Sequence, residues 1–379
     1  MEFRIERSSF AEAVAWAARS LPARSPVPVL GGLLLTAEEG LLRISGFDYE
    51  VSANIEVPAE TVEAGQVLVL GRRLLDICKV LPDTVVECAL DGARFTVEGG
   101  GMRFGLSTLP REEYPQLPGL PELRGMVDAG EFAAAVAQVV IAAGRDDALP
   151  VLTGIGLRLD GESMTLAASD RYRYAVRTVT WKPDAVDSEA VEVVVPGRRL
   201  TEIARSLAKS GLVRIGLSGP GSPGSGLIAF EGAGMHTTLR LLEGRLPRYD
   251  KLFTLDSPAV AVVEREPLAD AVRRVAVVAE PNSPIRLDFS PQGTVLLQAG
   301  YEDDIAAQQL PATLTAAEDM AVAFNPAYLL EALNSFSAAQ VRFALLGPGQ
   351  RALLSGVPGT DDTAHEDHQH LLMSVRQLS

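Results

Sequence analysis

The chain has 379 residues, with 34 Lys+Arg against 49 Asp+Glu for a net charge of −15, and it is 47 % hydrophobic and 22 % charged. That length suggests two or three domains, and the acidic balance argues against a uniformly basic nucleic-acid binder and against a polybasic membrane anchor, while leaving room for a locally basic surface. Cys78 and Cys88 are the only cysteines, which excludes a disulfide scaffold and points to a reducing compartment.

Met1–Arg7 alternates like a strand and has no apolar signal core, and no later run reaches the roughly 18 apolar residues of a membrane span, so the sequence reads as cytoplasmic. A first helix is predicted from Phe10, with Val14, Ala17, Ala18 and Leu21 completing one apolar stripe. A hairpin follows, Leu33–Thr36 and Leu41–Ile44 around Glu38–Gly40. The β-rich run Val67–Leu70 then leads into a second helix marked by Leu74, Ile77, Cys78 and Leu81, and a glycine-rich turn lies in Val97–Met102.

The same order returns twice. Phe132, Val136, Val139, Val140 and Ala143 repeat the first helix spacing, Ile155–Leu159 and Met164–Leu166 the hairpin, and Val191–Val195 the β-rich run. Leu200, Ile203, Ala204 and Leu207 repeat the second helix, and Phe230–Met235 the glycine-rich turn. In the last third the helices are marked by Leu268, Val272, Val275, Ala276 and Ala279, and by Leu329, Ala332, Leu333 and Phe336; between them lie the hairpin Ile285–Phe289/Val295–Leu297 and the run Met320–Phe324. Two helices and a hairpin in one order, three times, define an internal repeat. The expected fold is α+β, three tandem similar domains at residues 1–122, 123–256 and 257–379, each with two helices packed on β-sheets.

Several motifs imitate catalytic sites. Gly219, Gly221 and Gly224 match a dinucleotide fingerprint, but the strand-like Leu227–Phe230 follows where a helix is required, so a hairpin loop is expected. His365, His368 and His370 lie beside Asp361, Asp362, Glu366 and Asp367; Gln369 breaks the zinc-protease pattern, and the stretch reads as a flexible acidic loop. Asp170 next to Arg171 reads as a turn or ion pair. No phosphate-binding loop occurs, so no catalytic residue, metal or cofactor is expected, and an enzyme would rest on weak acidic pairs alone.

The stretches Leu75–Pro82, Arg103–Pro110, Gly144–Asp147, Ser169–Arg173 and Phe324–Pro326, in that order, resemble the β sliding clamp family of bacterial DNA polymerase III along the whole chain. The resemblance implies a non-enzymatic, ring-shaped head-to-tail homodimer. Helices would line the hole, and duplex DNA would thread it without sequence preference. The implied partners are the replicative polymerase, the clamp loader and other clamp-binding peptides, with no membrane. Cations suited to phosphates stand at Arg24, Arg72, Arg73, Lys79, Arg145, Arg198 and Arg199, with Arg205, Arg273 and Arg274 on equivalent segments. With a basic hole, the −15 total makes the outside more acidic than average.

By the same resemblance, the partner pocket comprises Leu152, Ser169, Arg171, Tyr172, Arg173, Tyr174, Pro247, Lys251, Leu252, Met373, Ser374, Val375 and Arg376. The dimer interface would join Phe104 and Leu106 to Ala276 and Val277 of the other copy. The family usually ends Met-Pro, an apolar residue, then Arg-Leu, whereas this chain reads Met373-Ser374-Val375-Arg376-Gln377, with His370 where Tyr is common. Ser374 is expected to leave the last strand less restrained than proline would. Such an edge would suit a second clamp copy that escapes a pocket-binding inhibitor. The alternative function is a clamp-like scaffold that does not serve the replicase.

Overall fold

The computed structural model describes residues 1–22, 27–185, 190–219, 221, 224–280, 283–301, 304–357 and 367–376. Its contacts divide the chain into two compact units. The first is Met1–Ala129, Pro183–Ala185 and Leu207–Leu241; the second is Gly130–Lys182, Val186–Ser206 and Leu242–Ser379.

The six amphipathic patterns all form helices: α1 (Arg7–Ala17), α2 (Gly71–Val80), α3 (Ala129–Val140), α4 (Gly197–Leu207), then, after the one-turn α5 (Asp250–Phe253), α6 (Arg265–Val275) and α7 (Pro326–Ser335). The apolar stripes of α1 and α6 run past their ends because each continues into a 3₁₀ turn, Ala18–Ser20 and Ala276–Val278. The second helix of a repeat starts against packed neighbours. A Cβ on Gly71 would lie 2.7 Å from Leu33 Cγ, and one on Gly197 would lie 2.8 Å from the Thr153 carbonyl. The third repeat uses another device. The Asn325 side-chain oxygen accepts from the Ala327 and Tyr328 amides at 2.9 and 3.2 Å, and Pro326 takes the first helical position, where its missing N–H costs nothing.

In the first unit, a five-stranded sheet runs in the order 60–63, 2–6, 85–91, 94–99, 102–107. Phe3, Phe10 and Phe95 are fully buried against it, with Phe3 edge-on to Phe10 at 6.2 Å and stacked on Phe95 at 6.4 Å. A second sheet places Val51–Pro58 between Leu41–Phe47 and Met235–Arg240. In the second unit, one twelve-stranded sheet places Arg173–Thr180 between Ser163–Ser169 and His368–Met373. These are the same junction in successive repeats: a strand after the first hairpin of one repeat pairs with the last strand of the next.

The third repeat's counterpart is Asp304–Leu314. It pairs with Thr294–Tyr301 on one side, and on the other only its last residues pair, with Ala259–Glu264. Among the described residues, no strand covers the remaining edge of 304–311, or the outer edge of Met102–Ser107.

The junction strands also begin alike. The Asp48 carboxylate accepts from the amides of Glu50 and Val51 at 3.1 and 2.7 Å, with Tyr49 at φ 71°. Asp170 accepts from Tyr172 and Arg173 at 3.0 and 3.1 Å, with Arg171 at φ 79°. In each case the aspartate caps the turn that holds a non-glycine residue in the left-handed region.

His368 and His370 do not lie in the flexible acidic loop expected. His368 and His370 lie on the strand His368–Met373, both buried, because alternate residues of this inner strand face the helices. Asp361, Asp362, His365 and Glu366 lie outside the described residues. Gly219, Gly221 and Gly224 fall between the strands Leu212–Leu217 and Leu227–Gly232, with no helix following. Among the described residues, no cluster of His, Cys, Asp and Glu could hold a metal, and no helix is long and apolar enough to cross a membrane.

Candidate functional site

Most of the cations named from the sequence sit on helices: on the second helices α2 and α4, and on α6, the first helix of the third repeat. In the first unit, α2 presents Arg72, Arg73 and Lys79, all exposed. The Arg72 guanidinium donates to the Pro22 carbonyl at 3.0 Å, and Lys79 pairs with Asp76 at 2.9 Å. In the second unit, α4 presents Arg198, Arg199 and Arg205, of which the first two reach Glu202 at 3.7 and 3.5 Å. On α6, Arg273 and Arg274 pair with Asp270 at 2.5 and 3.8 Å. Such exposed pairs within one helix are worth at most about 1 kcal/mol, so phosphates can compete for these cations. Arg24 lies outside the described residues.

A cleft of about 510 Å³ opens in the second unit. Leu152, Arg171, Tyr172 and Arg173 line it, together with Leu149, Arg145, Tyr328 and Glu331. Arg145, which follows α3, also lines the cleft; its guanidinium stands 3.6 Å from Glu331. Arg173 anchors the floor. It is buried, pairs with Asp170 at 2.9 Å and with Glu331, and lies 4.2 Å over the Tyr328 ring. The ion pair at the Asp170 turn thus goes to Arg173. Ser169 is buried beneath the turn, donating its hydroxyl to the Arg173 carbonyl at 2.8 Å. Burial and the nearby Asp170 carboxylate push the Tyr328 phenol up.

Beside the cleft is an apolar cluster. Tyr174, Val176, Leu246, Leu371 and Ala167 are buried, with Leu152, Leu252, Tyr249, Phe253 and Leu353 packed around them. Pro247 and Lys251 are exposed, and the carbonyls of Lys251 and Leu252 accept from Arg351 at 2.9 and 3.0 Å. Met373 and Val375 present exposed apolar side chains.

Ser374 departs from expectation. It is buried, and it does not leave the last strand loose. Its amide donates to the Gln350 carbonyl at 3.0 Å. Its hydroxyl donates to the Gln350 carbonyl at 2.8 Å, with the Gly347 carbonyl at 3.1 Å sharing the same hydrogen, and accepts from the Gln350 amide at 3.0 Å. The Met373 and Val375 amides are held by the Tyr172 and Ala323 carbonyls at 3.0 and 2.7 Å. Serine replaces proline's stiffness with a knot of hydrogen bonds. Arg376 packs over Gly349, and Gln377 lies outside the described residues.

Of the residues assigned to a dimer contact, Val277 is 80 % exposed, Ala276 and Phe104 are half-buried, and Leu106 is only 6 % exposed. Leu106 pairs across from the fully buried Phe95, so its side chain serves the core of its own sheet. Sequence reasoning missed Leu149, Tyr328 and Glu331 of the cleft, and Tyr249 and Phe253 of the cluster. The signal for Tyr328 and Glu331 was their i, i+3 spacing on α7, at a place where the other repeats carry paired arginines.

Three family models match in tandem: the N-terminal, central and C-terminal domains of the DNA polymerase III beta subunit, over residues 1–118, 126–248 and 251–374. The chain is 51 % identical to the beta sliding clamp of Streptomyces coelicolor over 376 residues, covering 99 % of each. It is 43 % identical to the beta sliding clamp homolog GriR of Streptomyces muensis, again over 99 % of each. A crystal structure of the Pseudomonas aeruginosa sliding clamp bound to griselimycin superposes with a TM-score of 0.90 at 26 % identity, covering all of both chains. With three clamp domains in tandem and a full-length match at this identity, the chain belongs to the bacterial DNA polymerase III beta sliding clamp family, whose members are non-enzymatic processivity factors.

Proposed function

We propose that the protein is a cytoplasmic, ring-forming homodimer that encircles duplex DNA without sequence preference and tethers the replicative polymerase and other clamp-binding peptides after delivery by a clamp loader. Its domains would be residues 1–122, 123–256 and 257–379. The observation that carries this reading is the repeated strand junction. Two junctions are made within the chain, 51–58 with 235–240 and 173–180 with 368–373. The third would join 304–311 to 102–107, and both of those edges are uncovered among the described residues. An uncovered edge is a template for pairing, and edges from opposite ends of a chain pair head to tail between copies and close into a ring when the rotation permits. Exposed Val277 and half-buried Phe104 suit such a contact. Retention on DNA would then be topological, with arginines of α2, α4 and α6 making weak phosphate contacts.

The test is loading by the cognate clamp loader and ATP onto nicked circular DNA, followed by gel filtration before and after linearisation. The ring should stay with circles and be lost from linear DNA. Equal retention on both would mean that affinity holds it, and failure to support processive primer extension would favour the scaffold alternative. A second reading, an additional copy resistant to a groove ligand, is favoured by the rebuilt edge at Ser374 and by the likeness to the GriR homolog. The higher identity to the Streptomyces coelicolor clamp, 51 % against 43 %, favours the ordinary clamp role.

A further inference from the structure

Tyr174 stands at the centre of the apolar cluster beside the cleft, yet it is only 3 % exposed. Its hydroxyl donates to the Pro247 carbonyl at 2.9 Å. Its ring lies 5.7 Å from Tyr249 and edge-on to Phe253 at 5.8 Å. A second cavity, of about 160 Å³, opens against the same ring, walled by Gly156, Arg158, Thr165, Glu192 and Tyr249.

We infer that Tyr174 is a latched plug that sets the specificity of the groove: its ring fills the place where a bulky apolar side chain of a docking peptide inserts, and it swings into the neighbouring cavity to admit that side chain. The inference rests on the reading of this groove as a peptide-docking site. Three features support it. The partly buried Leu152, Leu252 and Leu353 fringe the ring, so a vacated site is walled by apolar groups. Gly156 has no side chain to obstruct the receiving cavity. Glu192 and Asp250 border that cavity and offer carboxylate acceptors for the displaced hydroxyl. A peptide lacking a bulky apolar side chain gains nothing from opening the latch and binds only along the cleft.

The test compares wild type, Tyr174→Phe and Tyr174→Leu by fluorescence anisotropy with two labelled ten-residue acidic peptides, one carrying a Leu-Leu pair and one with Ala-Ala in its place. Tyr174→Phe keeps the ring and removes the latch; Tyr174→Leu also shortens the plug. The Leu-Leu peptide should bind Tyr174→Phe about fivefold tighter than wild type, the worth of one net hydrogen bond, and Tyr174→Leu tighter still, with the Ala-Ala peptide unchanged. Equal binding of the Leu-Leu peptide to all three chains overturns the plug and leaves the docking reading standing. Equal gains for both peptides also overturn it, because they report a general loosening of the groove. No binding to any chain overturns the plug and the docking reading together.

Discussion

Replacing Ser374 by proline is expected to loosen the groove edge rather than brace it. The serine hydroxyl gives a bond to the Gln350 carbonyl at 2.8 Å and receives one from the Gln350 amide at 3.0 Å. At roughly 1 kcal/mol net for each, Ser374→Ala should cost about 2 kcal/mol. Proline also removes the amide bond from position 374 to the Gln350 carbonyl, about 1 kcal/mol more, while its fixed φ returns up to about 1 kcal/mol through the unfolded chain. Both variants should therefore be less stable locally by about 2–3 kcal/mol. Hydrogen exchange of the Gln350, Met373 and Val375 amides, followed by mass spectrometry on peptides spanning them, reads this directly. About 2 kcal/mol corresponds to exchange roughly thirtyfold faster. Exchange in Ser374→Pro as slow as in wild type would refute the reasoning, because it would mean that the turn at Gly347–Gln350 accepts proline without losing its partners.

If the proposed head-to-tail dimer forms, Val277→Glu should convert it to monomer in sedimentation while leaving the protomer folded, since that side chain is 80 % exposed; a dimer that persists would remove this turn from the contact. Leu106→Glu should instead unfold the first unit, because it buries a charge beside Phe95. Changing Arg72, Arg73 and Arg198 together to Gln should lower the slope of log K against log salt on open duplex DNA by up to about one unit per lost phosphate contact. An unchanged slope would mean that these arginines do not face phosphates. His370 is fully buried, neither ring nitrogen has a hydrogen-bond partner, and burial first, then His368 and Arg173, hold its pKa well below the usual value. The unfolded chain takes up a proton near pH 6.5 that the folded chain refuses, so stability is present above that pH and is lost as the pH falls below it. His370→Phe should flatten the acid side of a melting-temperature profile, and an unaltered profile would contradict the assignment.

Most of the fold was legible because each repeat carries its own periodicity. Phe10, Phe132 and Leu268 head stripes with one spacing, and all three stripes became helices. His368 and His370 were misread because acidic neighbours suggested solvent, whereas strand alternation buries both regardless of what precedes them. Ser374 was misread for a related reason. Its conformational freedom is a property of the residue, but its hydrogen bonds depend on Gly347 and Gln350, more than twenty positions away. The cleft was half legible. Leu152 and the Asp170 turn lie in recognisable segments, but Tyr328 and Glu331 join them only through the packing of α7. Tyr174 could be placed in the groove, but nothing local could say that its hydroxyl reaches Pro247.

The shared strand junctions bear on how the chain is made. The first unit is not finished by the residues that begin it, because Val51–Pro58 remains an open edge until Met235–Arg240 arrives to pair with it. On the ribosome, a nascent chain that has emitted the whole first repeat still exposes that edge while more than a hundred further residues are added, at roughly 5–20 residues per second. For several seconds two such chains on one polysome could pair with each other in place of their own later strands. Chaperone capture during that interval, and its loss when residues 235–240 are supplied in trans as a peptide, would follow from the same geometry.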